Sequence, residues 1–194
     1  MKKVLWFVLL VFTVPVFAQE ETLINGDIES GGFGGPAVKI TTLNGENAVM
    51  VGGRGGWIIN HSFVLGGAGY GLVTDVNAKV TDSMHQYLQM GYGGLDLEYI
   101  ASSNDLIHLS VGLLIGGGGI GYKQGDNDMF NASHQTSSFF VAEPSVHINL
   151  NVTLFFRIAA GASYRYVSGL KSVVSSNTDL SGPSAVLTFQ FGTF

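Results

Sequence analysis

Cysteine is absent from the 194-residue chain, so no disulfide can brace it and no lipid-modified cysteine can follow a leader. Charge is scarce as well. Asp, Glu, Lys and Arg make up 12% of the residues, against roughly a quarter in an ordinary soluble domain. A soluble, disulfide-free β-protein would carry more charge on its surface, whereas a chain whose outer face meets lipid needs little. Positive charge is scarcest: nine basic residues stand against fourteen acidic ones, which excludes a nucleic-acid-binding surface. Long apolar runs are missing too. The stretch from Val4 to about Val14 falls short of the ~18–20 residues of a membrane-spanning helix, and beyond it no segment keeps a helical period.

That short run has another meaning. Met1-Lys2-Lys3 is a basic n-region, Val4 to Val14 an apolar h-region, and Val16-Phe17-Ala18 a cleavage site closing on a small residue. Residues 1–18 therefore read as a secretory signal peptide cut after Ala18. Loss of Lys2 and Lys3 leaves seven basic residues against fourteen acidic ones, a formal charge of −7. Residues 19–31 read as a periplasmic lead-in, and 32–194 as one domain.

What the chain has in quantity is glycine, 28 residues. The stretch Val49 to Leu72 shows how it is used. Two apolar, glycine-rich runs meet at Asn60-His61-Ser62, the outline of a hairpin whose strands can cross a bilayer when tilted. The unit recurs, giving eight candidate strands at 36–43, 47–60, 63–74, 86–100, 106–122, 138–149, 153–167 and 183–194. Joints at 61–62, 101–105 and 150–152 are short, and those at 75–85, 123–137 and 168–182 are long and polar. Asn44-Gly45 fits a type I′ turn. Gly67-Ala-Gly-Tyr70, Gly119-Ile-Gly-Tyr122 and Gly161-Ala-Ser-Tyr164 form a weak internal repeat of hairpins.

Successive side chains of a strand point to opposite faces, and four strands separate cleanly on that basis. Leu95, Leu97 and Tyr99 oppose Asp96 and Glu98. Leu109, Val111 and Leu113 oppose His108, Ser110 and Gly112, while Phe140, Val146 and Ile148 oppose Glu143, Ser145 and His147. Ile158, Ala160 and Tyr164 oppose Arg157 and Arg165. One face is apolar and the other is small, polar or charged. The pattern alone fits either a soluble barrel with its apolar face inside or a membrane barrel with that face on lipid. The charges are too few and too interspersed with Gly, Ser and Ala for a soluble surface, which favours the second. Inner-face glycines would then make room for long charged side chains. Aromatics fall in two groups: Trp57, Tyr99, Phe155, Phe156, Phe191 and Phe194 toward the short joints, and Tyr70, Tyr87, Tyr92, Tyr122, Phe139, Phe140, Tyr164 and Tyr166 toward the long ones. Two girdles one bilayer apart are expected of a membrane barrel.

On these features residues 32–194 resemble the small, eight-stranded bacterial outer-membrane β-barrels of the OmpA and OmpX class, terminal Phe194 included. The resemblance implies an all-β, antiparallel up-and-down transmembrane barrel with short periplasmic turns and longer outer loops. It also implies outer-membrane lipid as surroundings, the barrel-assembly machinery as a partner in biogenesis, and a monomer. Phe194 is out of phase with the apolar set Ala185, Leu187, Phe189 and Phe191, so an intact terminal signal would need a bulge. The Gly-Gly-Arg-Gly-Gly-Trp block resembles small secreted barrels of this kind and brings no activity with it.

Candidate chemistry is thin. Gly116, Gly118 and Gly121 match G-x-G-x-x-G, but the polar loop from Lys123 follows where a helix is needed to present its N-terminus to a phosphate. Asp126-Asn127-Asp128 lacks the rest of a calcium loop, and His61, His85, His108, His134 and His147 show no metal-ligand spacing. No cofactor is expected. Lys39, Arg54, Asp96, Glu98, Glu143, His147, Arg157 and Arg165 are expected to line the lumen as a structural charge network, bases offsetting acids. The expected function is a non-catalytic outer-membrane barrel with a plugged lumen and a structural or surface-interaction role. The alternatives are a lipid-modifying enzyme using His108, Ser110, Glu143 and His147, or a secreted soluble barrel holding a small apolar ligand.

Overall fold

The computed structural model describes residues 29–77, 86–124, 137–172 and 175–194. The expected signal peptide at 1–18, residues 19–28 of the expected lead-in, His85, His134, Asp126-Asn127-Asp128 and most of the loops expected at 75–85 and 123–137 lie outside them. Eight strands follow in order: β1 (Ser30–Leu43), β2 (Glu46–Ile59), β3 (Phe63–Leu72), β4 (Gln86–Ala101), β5 (Ile107–Gln124), β6 (Ser137–Asn151), β7 (Phe156–Ser168) and β8 (Gly182–Thr193). Each pairs antiparallel with its neighbours, and β1 pairs with β8 to close the barrel.

Two strand starts differ from the sequence expectation by three residues or more, the other ends by one or two at most. β1 starts at Ser30 rather than 36, because Gly31–Gly35 pair with β2 even though a glycine run shows no apolar alternation. β7 starts at Phe156 rather than 153. The amides of Val152 and Thr153 both donate to the Phe156 carbonyl, at 3.1 and 3.0 Å, and fold Leu154 and Phe155 into a turn. A four-residue helix, α1 (Asn177–Leu180), stands in the β7–β8 connection where no helix was expected, capped by Ser176 and Asp179. Such Ser/Asp boxes act locally and leave no periodic trace in so short a segment.

The short joints behave as their residues require. Asn44 and Gly45 both take positive φ, 52° and 85°, as a type I′ turn demands. The registers lock the whole circuit. From Gly31 the paired residues run through Ile58, Val64, Glu98, Gly112, Ser145, Ser163 and Ser184, and return to β1 at Thr41, ten positions along. All of these residues face inward, so no bulge breaks the parity anywhere on that circuit. A stagger of this size tilts the strands steeply and leaves an eight-stranded interior that side chains can fill.

Large apolar side chains cover the outside, among them Ile40, Val51, Leu95, Val111, Ile148 and Leu187. Among the described strand side chains, none that is charged faces outward between the strand ends; Glu46, exposed, sits at the start of β2. Of the two faces left open by the alternation, the apolar one is outside.

The interior is layered. Toward the long loops, Leu43, Met50, Leu88, Met90, Ile120, Tyr122, Phe139, Val141 and Val167 form an apolar mass, joined by Val76 from one loop and Leu180 from α1. Toward the short turns, Phe33, Ile58, Val64 and Ile100 form a second, smaller mass, with Phe194 packed against it. Charged residues occupy the level between. The aromatic girdle at the long-loop end is correspondingly thinner than expected. Phe140, Tyr164 and Tyr166 are exposed there, but Tyr70, Tyr92, Tyr122 and Phe139 are buried inside. The Gly-x-x-Tyr repeat is therefore not equivalent in three dimensions, since Tyr70 and Tyr122 point in and Tyr164 points out. No bulge brings Phe194 into phase with the outward set Ala185, Leu187, Phe189 and Phe191. β8 alternates without interruption, and the Phe194 ring lies in the inward phase, stacked 6.3 Å from that of Phe33.

Candidate functional site

The charged level is built from two clusters. Arg54 projects from the Gly-Gly-Arg-Gly-Gly segment of β2 over Gly66 and Ala68 of β3, whose small size lets the guanidinium reach β4. There it meets Asp96 and Glu98, two residues apart and hence on one face. Its Nε and Nη2 lie 2.9 and 2.7 Å from Asp96 Oδ2, and Nη2 also donates to Glu98 Oε2.

The second cluster centres on Glu143 of β6, 1% exposed. Its Oε1 accepts from Lys39 Nζ and from Ser163 Oγ, each at 2.5 Å, and its Oε2 from the Tyr92 hydroxyl at 2.6 Å. Lys39 Nζ in turn donates to Tyr92 at 3.2 Å and sits 3.6 Å above the Tyr70 ring. A buried carboxylate with three donors and a buried ammonium with two acceptors and a π-face are satisfied groups. The space left between the clusters is about 20 Å³, on the order of one water.

Of the eight residues expected in one lumen network, these clusters bring together five: Lys39, Arg54, Asp96, Glu98 and Glu143. The other three are not hydrogen-bonded to any of these five. His147 Nδ1 is 3.9 Å from Glu98 Oε1, and neither atom has a hydrogen bond. Arg165, fully buried, has no carboxylate within 4 Å among the described residues. It donates through Nε to the Leu180 carbonyl at 2.7 Å and through Nη2 to Thr41 Oγ1 and the Thr42 carbonyl, both at 3.3 Å. Its work is to hold α1 against the barrel wall. Arg157 lies at the short-turn mouth, its guanidinium 4.0 Å from the centre of the Phe194 ring. The tyrosines Tyr92 and Tyr70, which complete the Lys39–Glu143 cluster, were expected in a girdle; Tyr92 shares the inward parity of Asp96 on β4, and Tyr70 on β3 pairs with Tyr92.

Inward glycines do more than make room for long side chains. A Cβ on Gly116 would come within 2.6 Å of the Gly94 Cα, and one on Gly94 equally close to that of Gly116. They are positions where neighbouring backbones approach too closely for any side chain, which lets the wall curve inward.

The residues considered for catalysis are also placed. Ser110 and His147 face each other across β5 and β6. Ser110 Oγ accepts from Asn149 Nδ2 at 2.9 Å, while His108 Nδ1 contacts the Asp105 carbonyl at 3.1 Å. Among the described residues no hydrogen bond joins Ser110 to either histidine. No group of three or more His, Asp or Glu among them could hold a metal.

Solved structures of similar shape exist. Neisserial surface protein A superposes with a TM-score of 0.52 at 14% identity, over 87% of this chain and 99% of that one. The N-terminal β-barrel domain of Pseudomonas aeruginosa OprF gives a TM-score of 0.50 at 15% identity, over 84% of this chain and 96% of the other. The fold is similar to that of small outer-membrane barrels. At 14–15% identity the likeness is one of fold. No family model matches the chain, and no curated protein matches it in sequence.

Proposed function

We propose that the protein is a non-catalytic, monomeric β-barrel of the bacterial outer membrane with a closed lumen and a structural or surface-interaction role. The observation that carries this reading is the distribution of charge. The described strands point their charged side chains inward and present an apolar belt outward, the inverse of a soluble barrel. A soluble barrel with a ligand cavity would need those apolar faces inside, and the space between the charge clusters is only about 20 Å³. The two apolar masses above and below the ion pairs supply the closure. The short turns would then face the periplasm and the long loops the exterior, where a partner would bind.

Two measurements test the reading. The chain is expected to fold in detergent micelles and to precipitate without them, and folding in plain buffer would overturn the lipid-facing assignment. In a planar bilayer it is expected to give no steady current, and a stable conductance would show that the lumen is open.

A further inference from the structure

The apolar belt does not end where the strands end on the short-turn side. Leu154 is 94% exposed and Phe155 63%, although both stand in the turn before β7, where polar residues are usual. Beside them is a cleft of about 480 Å³ walled by Leu106, Leu154 and Phe194, with Arg157 and Asn151 at its back.

Arg157 is 6% exposed. One donor, Nη2, goes to the Ser103 carbonyl at 3.3 Å, and the guanidinium stacks on Phe194. Among the described residues no carboxylate lies within 4 Å of it, Asp105 on the neighbouring turn included. A guanidinium has five N–H donors in a fixed fork, and the nitrogens not bonded to Ser103 are not sealed from solvent. The surroundings are braced. Asn151 Nδ2 donates to the Ser103 and Asp105 carbonyls at 3.0 and 2.8 Å, tying the 102–106 turn to β6. A nearly buried cation with no carboxylate in contact among the described residues, in a braced cleft with an apolar rim, is built for an anion that carries an apolar part.

We infer that this cleft binds a phosphate monoanion, and that its source is a phospholipid whose acyl chains lie along Leu154 and Phe155. The fork of Arg157 matches two phosphate oxygens, and the exposed rim places the chains beside the outward belt. The lipid half of this inference rests on the membrane reading above; the anion half does not.

The test uses the full chain folded in non-ionic detergent, with short-chain phosphatidylglycerol and inorganic phosphate as separate probes, binding being read by native mass spectrometry and ³¹P line broadening. Arg157→Gln is expected to weaken phosphatidylglycerol roughly tenfold, the equivalent of one charge-assisted hydrogen-bonded contact. Leu154→Ser is expected to weaken the lipid and leave inorganic phosphate unchanged. Phosphate binding as tight as the lipid, with Leu154→Ser without effect on either, would overturn the lipid source and leave a free-anion site. Wild-type binding of both probes by folded Arg157→Gln would overturn the site itself. Asn104→Asp, which adds a negative charge to the cleft without touching Arg157, must weaken both probes; if it weakens neither, the site is likewise overturned.

Discussion

At the scale of single residues, the Lys39–Glu143 pair is the most exacting feature, because both charges are sealed inside the barrel. Removing one partner of such a pair strands the other and costs about 3–5 kcal/mol, whereas replacing both with apolar groups is often close to neutral. Glu143→Leu and Lys39→Met are each expected to lower stability by about that amount in urea unfolding from lipid vesicles, and the double substitution to recover most of it. Single variants within about 0.5 kcal/mol of the parent would show that the pair is not sealed. The inward direction of these residues was legible from alternation alone. Their pairing was not. Alternation assigns a face but no depth, and depth depends on the ten-residue stagger that only eight registers together define. This is why Arg157 and Arg165 look like partners for the buried acids in sequence yet stand at the mouth and beneath α1.

At the scale of elements, the strands depend on where glycine sits rather than on how much of it there is. Gly116 faces the Gly94 backbone, whereas a Cβ on Gly121 of the same strand would meet nothing within 4 Å. Gly116→Ala is therefore expected to reduce the folded yield, and Gly121→Ala to leave it unchanged, as read by the fraction of gel-resistant barrel after refolding. Equal yields would mean that the wall relaxes easily at that point. The connection carrying α1 makes a second case. Its Leu180 is fully buried in the lumen mass, and Arg165 clamps its carbonyl. Arg165→Ala is expected to speed proteolysis between β7 and β8 while the barrel stays folded, and unchanged cleavage would remove the clamp from the account. The existence of all eight strands was legible because four separate cleanly into two faces and the others run apolar or glycine-rich between turn residues. The start of β1 was hidden by glycines with no side chain to alternate. α1 was hidden because four residues are too few for a period.

At the scale of the whole molecule, the choice is between two ways of winding the same alternation, and outward apolar side chains decide it. Trp57 is one of them, exposed near the short turns; the other tryptophan, Trp6, lies in the expected signal peptide. In reconstituted vesicles its fluorescence is expected to be quenched by lipids brominated on the acyl chain, and not by a water-soluble quencher. What neither the alternation nor the fold supplies is a surface partner, since the long loops that would meet one are polar segments without a motif. The most direct test of the central claim is fractionation of the expressing cells, followed by gel mobility with and without boiling. Recovery in the outer membrane with a heat-dependent shift in migration is the result the account predicts. Recovery as a soluble protein of unchanging mobility would contradict it and turn the apolar faces into an unsolved surface.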